Sequence, residues 1–372
     1  MPPKSSGDII ELFCGASGFG LGAELAGFRL TVAADVDAVL TASHELNFPR
    51  SKLLLLDLKA TSGSSLVKEA GGAKITGVIG GPPCQGFSEM GYRDGSDPRN
   101  ELVESFFRIV AEIRPLFFVL ENVPGILARN RRYRLDNALA LLPPRYTVLG
   151  PLELNAADFG AATRRRRVIV IGFDSRYVDE IREADFVPVR GRTATVADAI
   201  RDLPDPTLSK ADAFGHYWGF ISGARDRISP YAEMLRERPP MRLGVDWAKE
   251  QLSARRVSGL KPTAHTADVI RRYSAVQPGK RDGASRAPRL MWDSQCATLR
   301  AGTGPDTGSY QALRPIHPEE PRAITVREAA RLQGFPDWFQ FHPTVWHSFR
   351  MIGNSVSPIF ARQVLKTIAK KL

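Results

Sequence analysis

Ile75-Thr76-Gly77-Val78-Ile79-Gly80-Gly81-Pro82-Pro83-Cys84-Gln85-Gly86-Phe87-Ser88 decides how this chain is read. The apolar run Ile75 to Ile79 predicts a buried strand. Gly-Gly-Pro-Pro ends it, because two successive prolines fix two φ angles and remove two backbone donors. The chain cannot continue there as strand or helix. Cys84 is therefore expected on a stiff, exposed turn at a sheet edge, with its sulfur pre-set at low entropy cost. A lone cysteine is ordinarily a small buried hydrophobe, so the nucleophile reading needs a second site.

That site follows 37 residues on, where Phe117-Phe118-Val119-Leu120 runs into Glu121-Asn122-Val123-Pro124-Gly125. The first four residues predict a buried strand, and the carboxylate falls at its end. Between the two sites, Leu102, Val103, Phe106, Phe107, Val110 and Ile113 recur at helical spacing over Glu101 to Ile113, stopped by Pro115. Strand, cysteine loop, helix, strand and glutamate turn make a βαβ unit, so the strands are expected as parallel neighbours. Cys84 and Glu121 then face one crevice at the carboxyl ends of the strands, where ligands bind in open α/β sheets. A thiol beside an acid suits nucleophilic addition to a ring that must be protonated at the same time.

Pro83-Cys84-Gln85 and Glu121-Asn122-Val123, in this order and spacing, resemble the signatures of the C5-cytosine DNA methyltransferases. The resemblance covers nearly the whole chain except the middle of the C-terminal half. It implies a doubly wound, Rossmann-like α/β methyltransferase domain over residues 1–190, a smaller irregular target-recognition domain over 191–343, and a C-terminal helix, 344–372, returning to the first domain. It implies methyl transfer from S-adenosylmethionine to C5 of a cytosine flipped out of double-stranded DNA, leaving S-adenosylhomocysteine. Cys84 would attack C6 while Glu121 hydrogen-bonds N3 and the exocyclic amine. The base must leave the duplex, since stacking shields C6.

The N-terminal segment carries the cofactor reading. Asp8 to Phe13 predicts a first strand, Cys14 to Gly22 a glycine-rich turn into a helix through Leu25, and Leu30 to Val36 a second strand with Asp35 and Asp37 at its end. An acid about 20 residues past such a turn binds ribose hydroxyls in nucleotide folds. The glycines run Gly15-x-x-Gly18-x-Gly20-x-Gly22, and the GxGxxG that nests a pyrophosphate is absent from the segment. A third strand, Leu53 to Leu56, ends in Asp57. Acids at these strand ends suit a cationic adenosyl ligand better than a dinucleotide. By resemblance, Phe13, Gly15 and Gly18 belong to the first motif, Asp35 is the ribose acid and Asp57 the adenine contact, and Asn354 in Gly353-Asn354-Ser355-Val356 folds back on the cofactor. Val36, Pro83, Leu102 and Val356 complete that set. Ser17 stands where many relatives have glycine, and Val36 where some place an aromatic residue. Asp37 reads as a solvated helix start.

Residues 86–100 are long for a βα connection and read as a lid that closes on DNA, with Gln85, Ser88 and Arg99 as its DNA contacts by resemblance. Thr163-Arg164-Arg165-Arg166-Arg167 precedes the strand Val168 to Gly172. Alternation along an extended chain puts Arg165 and Arg167 on one face. They match the two arginines of a family Gln-x-Arg-x-Arg pattern whose second arginine helps hold the flipped base, and Thr163 replaces the glutamine.

From about Gly191 to Ile316, glycine, proline, arginine and aromatics mix without sustained period. Arginine favours bidentate contact with guanine, so this stretch is the expected base reader. Thr325 with Glu328 predicts a capping box before a helix that stops at Gly334. The formal net charge of +11 favours an anionic partner. Three scattered cysteines give neither a disulfide framework nor a metal knuckle. No run approaches the ~20 apolar residues of a membrane span, and no secretory signal opens the sequence. The expectation is a cytoplasmic, bacterial, metal-free monomer, acting separately from any cognate restriction endonuclease. A related RNA methyltransferase is disfavoured by the long irregular segment, a DNA-binding pseudoenzyme by the presence of both Cys84 and Glu121, and a nicotinamide oxidoreductase by the glycine spacing.

Overall fold

The computed structural model describes residues 6–83, 101–129, 131–189, 191, 193–221, 228–300 and 314–372. Its centre is a seven-stranded sheet in the order β3-β2-β1-β4-β5-β8-β6. The strands are β1 (Asp8–Leu12), β2 (Arg29–Asp35), β3 (Lys52–Leu55), β4 (Ile75–Gly80), β5 (Phe117–Asn122), β6 (Tyr146–Asn155) and β8 (Arg166–Asp174), with a two-residue β7 (Thr163–Arg164) outside the sheet. β1 to β5 are parallel, while β8 runs antiparallel to both β5 and β6. The sheet is thus mixed on one side, because β6 reaches β8 by a short connection rather than a helical crossover.

Period-2 alternation buries both faces. Ile9, Leu30, Ile79, Val119 and Ile169 pack on one side with the helices Gly18–Leu25 and Pro358–Ala369. Ile10, Val32, Val78, Leu120 and Val168 pack on the other, under the helices Gly63–Glu69, Glu101–Ile113 and Arg132–Leu139. The helix between the two signatures spans Glu101–Ile113 and buries Val103, Phe106, Phe107 and Val110, as its spacing predicts.

The irregular middle stretch holds a three-stranded sheet of Lys210–Ala211, Tyr217–Phe220 and Arg256–Val257, with short helices around it. Its apolar residues do not form one separate core. Val196, Ile200, Tyr231, Leu235 and Leu290 join the cluster on the first face of the main sheet, while Tyr273, Val276, Ala287 and Ile316 form a small cluster of their own. The capping box forms, with Glu328 N–H donating to the Thr325 hydroxyl, and Gly334 ends that helix in the left-handed region at φ 93°.

Polar joints fix the middle stretch to the first half. Asn47, fully buried, donates from Nδ2 to the Gln340 carbonyl and accepts the Gln340 N–H at Oδ1, both at 2.8 Å, while its own carbonyl accepts from Gly244. Within the C-terminal half, Arg331, also fully buried, pairs with Asp337 and Asp202. Asn47→Ala leaves the Gln340 amide and carbonyl unpaired in the interior and is expected to cost about 2–4 kcal/mol, as each orphaned buried group costs about 1–3. Denaturant unfolding measures it; an unchanged midpoint would show that the joint contributes nothing.

Candidate active site

Parallel register brings the two signatures level. Ile79 pairs with Val119 and Gly80 with Leu120, so Gly81 stands beside Glu121. A Cβ built on Gly81 would sit 3.0 Å from Glu121 Oε2, tighter than ordinary contact, so a side chain there would make the carboxylate give by a few tenths of an ångström. Asn122, 2% exposed, donates from Nδ2 to the Pro82 carbonyl at 3.3 Å and accepts the Val123 N–H at 2.8 Å. The Pro-Pro turn is thereby tied to the end of β5. Sequence reading quoted Asn122 only as part of a signature; its position, buried beside a proline turn that needs a donor, is the signal for this tether. Pro83 is exposed at the last described position of the turn. Cys84, Gln85, Ser88 and Arg99, and the loop read as a lid, lie outside the described residues.

Glu121 is 8% exposed and its Oε1 lies 2.6 Å from Arg167 Nε. Arg164 and Arg166 are exposed, whereas Arg165 and Arg167 turn inward, as alternation predicts. The inward pair divides its partners. Arg165, 2% exposed, donates from one terminal nitrogen to the Leu299 carbonyl at 3.2 Å and from the other to the Gly353 carbonyl at 2.9 Å. Thr163, in the glutamine position, is buried and donates its hydroxyl to the Cys296 carbonyl at 3.3 Å, within a short parallel pairing of β7 with Cys296–Ala297. Burial pushes the Cys296 thiol up to about 12, which keeps it protonated.

The residues read as a cofactor set gather at the same edge. Asp35 Oδ2 accepts the Gly15 N–H at 2.8 Å and its Oδ1 accepts the Asp37 N–H at 2.9 Å. Burial raises the Asp35 carboxyl above its usual range, against these hydrogen bonds. Gly15 adopts φ 50°, and a Cβ there would meet no atom within 4 Å, so its backbone is open to close approach. Val36 is 72% and Leu55 56% exposed, an apolar pair at the ends of β2 and β3 that fits a flat adenine ring. Asp57 caps its own turn, accepting the Lys59 N–H at 2.9 Å. Gly18 N–H donates to the Ser355 hydroxyl at 3.1 Å, and a side chain at Gly18 would strike both Ser355 and the Val356 carbonyl. Phe13 is half-buried with φ 56°, Leu102 is half-buried and Asn354 is exposed. These features fit an adenosyl ligand. Among the described residues no group of three or more His, Cys, Asp or Glu is placed to hold a metal.

One reading changes here. Asp37 is not a solvated helix start: its Oδ1 accepts the Val39 and Leu40 N–H groups within a turn, and its Oδ2 pairs with Arg350 at 3.0 Å. Ser17, in a common glycine position, holds the left-handed φ 53° and packs its hydroxyl 3.3 Å from His44 Nδ1. Sequence reading also passed over Glu11, an acid inside the apolar β1. Its Oε1 accepts the Gly20 N–H at 3.0 Å and its Oε2 has no hydrogen-bond partner. Burial raises the Glu11 carboxyl to about 8 and lowers His44 to about 4, so both are neutral at pH 7 behind the cofactor turn.

Known proteins resemble this chain in sequence and in fold. A family model described as C-5 cytosine-specific DNA methylase matches residues 7–370. The chain is 40% identical to the type II methyltransferase M.XorII of Xanthomonas oryzae pv. oryzae, over 97% of this chain and 85% of that protein. It is 30% identical to the type II methyltransferase M1.HphI of Haemophilus parahaemolyticus, over 97% and 86%. A solved structure described as a prophage-encoded DNA modification methyltransferase of E. coli superposes with TM-score 0.86 at 38% identity, covering 98% of this chain and 99% of that one. The Dnmt2 methyltransferase of S. pombe shares the fold, with TM-score 0.63 at 16% identity. The chain belongs to the C-5 cytosine-specific DNA methylase family. Its activity is the methylation of cytosine in DNA with S-adenosylmethionine as donor.

Glu11 gives the fold a pH dependence with a defined sign. Its folded carboxyl titrates near 8, above the ~4.3 of an unfolded chain. Between those values folding takes up a proton, so this group's contribution to stability falls as pH rises through the window. Glu11→Gln keeps the acceptor for Gly20 and removes the titration. Its melting temperature is expected to drop less than that of wild type between pH 5.5 and pH 8, by about 2 °C or more. Parallel curves would show that Glu11 does not titrate there.

Proposed function

We propose that Cys84 and Glu121 act on one cytosine drawn out of duplex DNA. Cys84 is the nucleophile at C6, and Glu121 hydrogen-bonds N3 and the exocyclic amine. The observation that carries this reading is the Glu121 carboxylate, fixed at one oxygen by Arg167 and turned at the other toward Gly81, three residues before the cysteine. As the thiolate adds to C6, the C5–C6 electrons become available at C5 and N3 grows more basic, taking up a proton through its hydrogen bond with Glu121. Loss of the C5 proton and departure of Cys84 restore the ring after transfer. Arg167 aligns Glu121 and faces the base. Arg165, committed to two backbone carbonyls, is a positioning residue behind it. Gln85, Ser88 and Arg99 contact the DNA around the cysteine.

S-adenosylmethionine supplies an electrophilic methyl on its sulfonium. In this reading Asp35 accepts the ribose hydroxyls, Asp57 meets the adenine, and Val36, Pro83 and Leu102 line it. Phe13, Gly15, Gly18, Asn354 and Val356 enclose the methionine part. The relatives named as type II methyltransferases support a place in a restriction-modification system for this chain. In this reading the 191–343 stretch reads a specific target sequence and a monomer is the acting unit. Among the described residues no helix is long and apolar enough to cross a membrane.

Duplex DNA carrying 5-fluorocytosine at the target blocks proton loss from C5. With S-adenosylmethionine, wild type is expected to form a covalent complex stable to denaturation, and Cys84→Ala none; methylation by Cys84→Ala at the wild-type rate sinks the scheme. Glu121→Gln is expected to lower turnover by about 10²-fold or more while DNA binding survives. Asp35→Ala is expected to weaken S-adenosylhomocysteine binding about 10–100-fold, the worth of hydrogen bonds to a charged group; titration calorimetry reads it, and unchanged affinity removes Asp35 from the site.

A further inference from the structure

A second set of arginines leaves the sheet edge that carries Glu121. After β5 ends, the chain winds through the 3-10 turn Pro124–Leu127. Hydrogen bonds from Ala128 N–H to the Gly125 carbonyl, and from Arg131 and Arg132 N–H to the Ala128 carbonyl, hold it near that edge. The chain then presents Arg129, Arg131, Arg132 and Arg134 within one short segment, with Tyr133 53% exposed among them. Asp136 is the one acid between residues 129 and 136, and it pairs with Arg132 at 2.9 Å. Arg134 lies over the Tyr133 ring at 5.6 Å.

This clustering works against the fold's own electrostatics. The helix Arg132–Leu139 has no acid in its first turn and begins at Arg131. A helix N-terminus already carries partial positive charge, which favours anions and disfavours cations. In the neighbouring strand, antiparallel register pairs Asn122 with Val168, so the exposed Arg164 and Arg166, the latter paired with Glu153, lie beyond the end of β5 at the same edge. Cations therefore gather at the edge that carries the buried carboxylate. They are strung along exposed and half-exposed chain rather than collected at one buried point, which suits a row of phosphates better than a single small anion.

We propose that Arg129, Arg131, Arg132 and Arg134, with Tyr133, form a phosphate-binding rail on which the DNA backbone beside the target cytosine rests. The proposal rests on the reading that this edge takes DNA, and deepens it. Guanidinium groups and a phenol hydroxyl donate to phosphate oxygens, and such contacts set affinity and register without reading sequence. The rail is thus distinct from base reading in the middle stretch.

The test uses the full chain and a fluorescein-labelled duplex oligonucleotide of arbitrary sequence, by anisotropy across a salt series. Arg129→Ala/Arg132→Ala is expected to bind roughly tenfold more weakly at low salt, with a log-affinity against log-salt slope shallower by about 0.9 for each phosphate that is no longer neutralised. Arg129→Lys/Arg132→Lys keeps the point charges and is expected to recover most of the affinity. Arg50→Ala/Lys74→Ala removes two charges at the opposite, N-terminal edge of the sheet and is expected to bind as wild type does. With unmethylated plasmid DNA, the loss should fall on KM rather than kcat. Equal weakening by the opposite-edge pair, or no weakening by Arg129→Ala/Arg132→Ala with its melting temperature unchanged, overturns the rail. Failure of wild type to bind the duplex even at low salt overturns the DNA reading of the edge itself.

Discussion

Glu121 lies close against Gly81, where a side chain would crowd its carboxylate, and the edge is built around this approach. Two parallel strands in register bring the glycine and the acid level. The acid is then held by Arg167 at Oε1, while Asn122 next to it fastens the proline turn. A buried carboxylate without a charged partner would carry a desolvation cost of several kcal/mol. With Arg167 at 2.6 Å, the charge stays paired while one oxygen keeps its direction. The Gly-Gly-Pro-Pro sequence thus serves two purposes: the glycine admits the acid, and the prolines stop the strand.

The cofactor side follows a different rule. There the buried titratable groups are held neutral: Glu11 is raised, His44 is lowered and Cys14 is raised well above its usual range, each chiefly by burial. Asp35 is raised less and stays hydrogen-bonded to two backbone N–H groups. With those groups neutral, the field at the strand ends is set by the acids along the edge, where a cationic ligand profits from it.

What was legible in the sequence was local. Proline pairs, helical spacing and apolar runs act over a few residues, so the βαβ unit, the Glu101–Ile113 helix and the Thr325 capping box could be placed before any partner was known. Acids at strand ends were legible for the same reason. The antiparallel direction of β8 was not, because it depends on where β6 ends relative to β5. Glu11 looked like a strand residue, since its partner Gly20 lies across the turn. Asp37 looked solvated, since Arg350 lies more than 300 positions away in the chain. Arginine spacing gave the facing of Arg165 and Arg167 but not their division of work, which two distant carbonyls decide.

Arg165 shows why that division matters. Its guanidinium joins three stretches: β8's approach to Glu121 through Arg167, the Leu299 carbonyl at the end of the middle stretch, and the Gly353 carbonyl beside the Ser355 hydroxyl that holds Gly18. A displacement of Leu299 must lengthen a buried, charge-assisted hydrogen bond or carry the arginine with it. Carrying the arginine moves a neighbour of Arg167 or strains the bond to Gly353, so neither strand end can shift alone. Packed interiors transmit such shifts because they do not deform continuously. The same buried cation therefore gives the middle stretch, the glutamate and the glycine-rich turn one common mechanical reference.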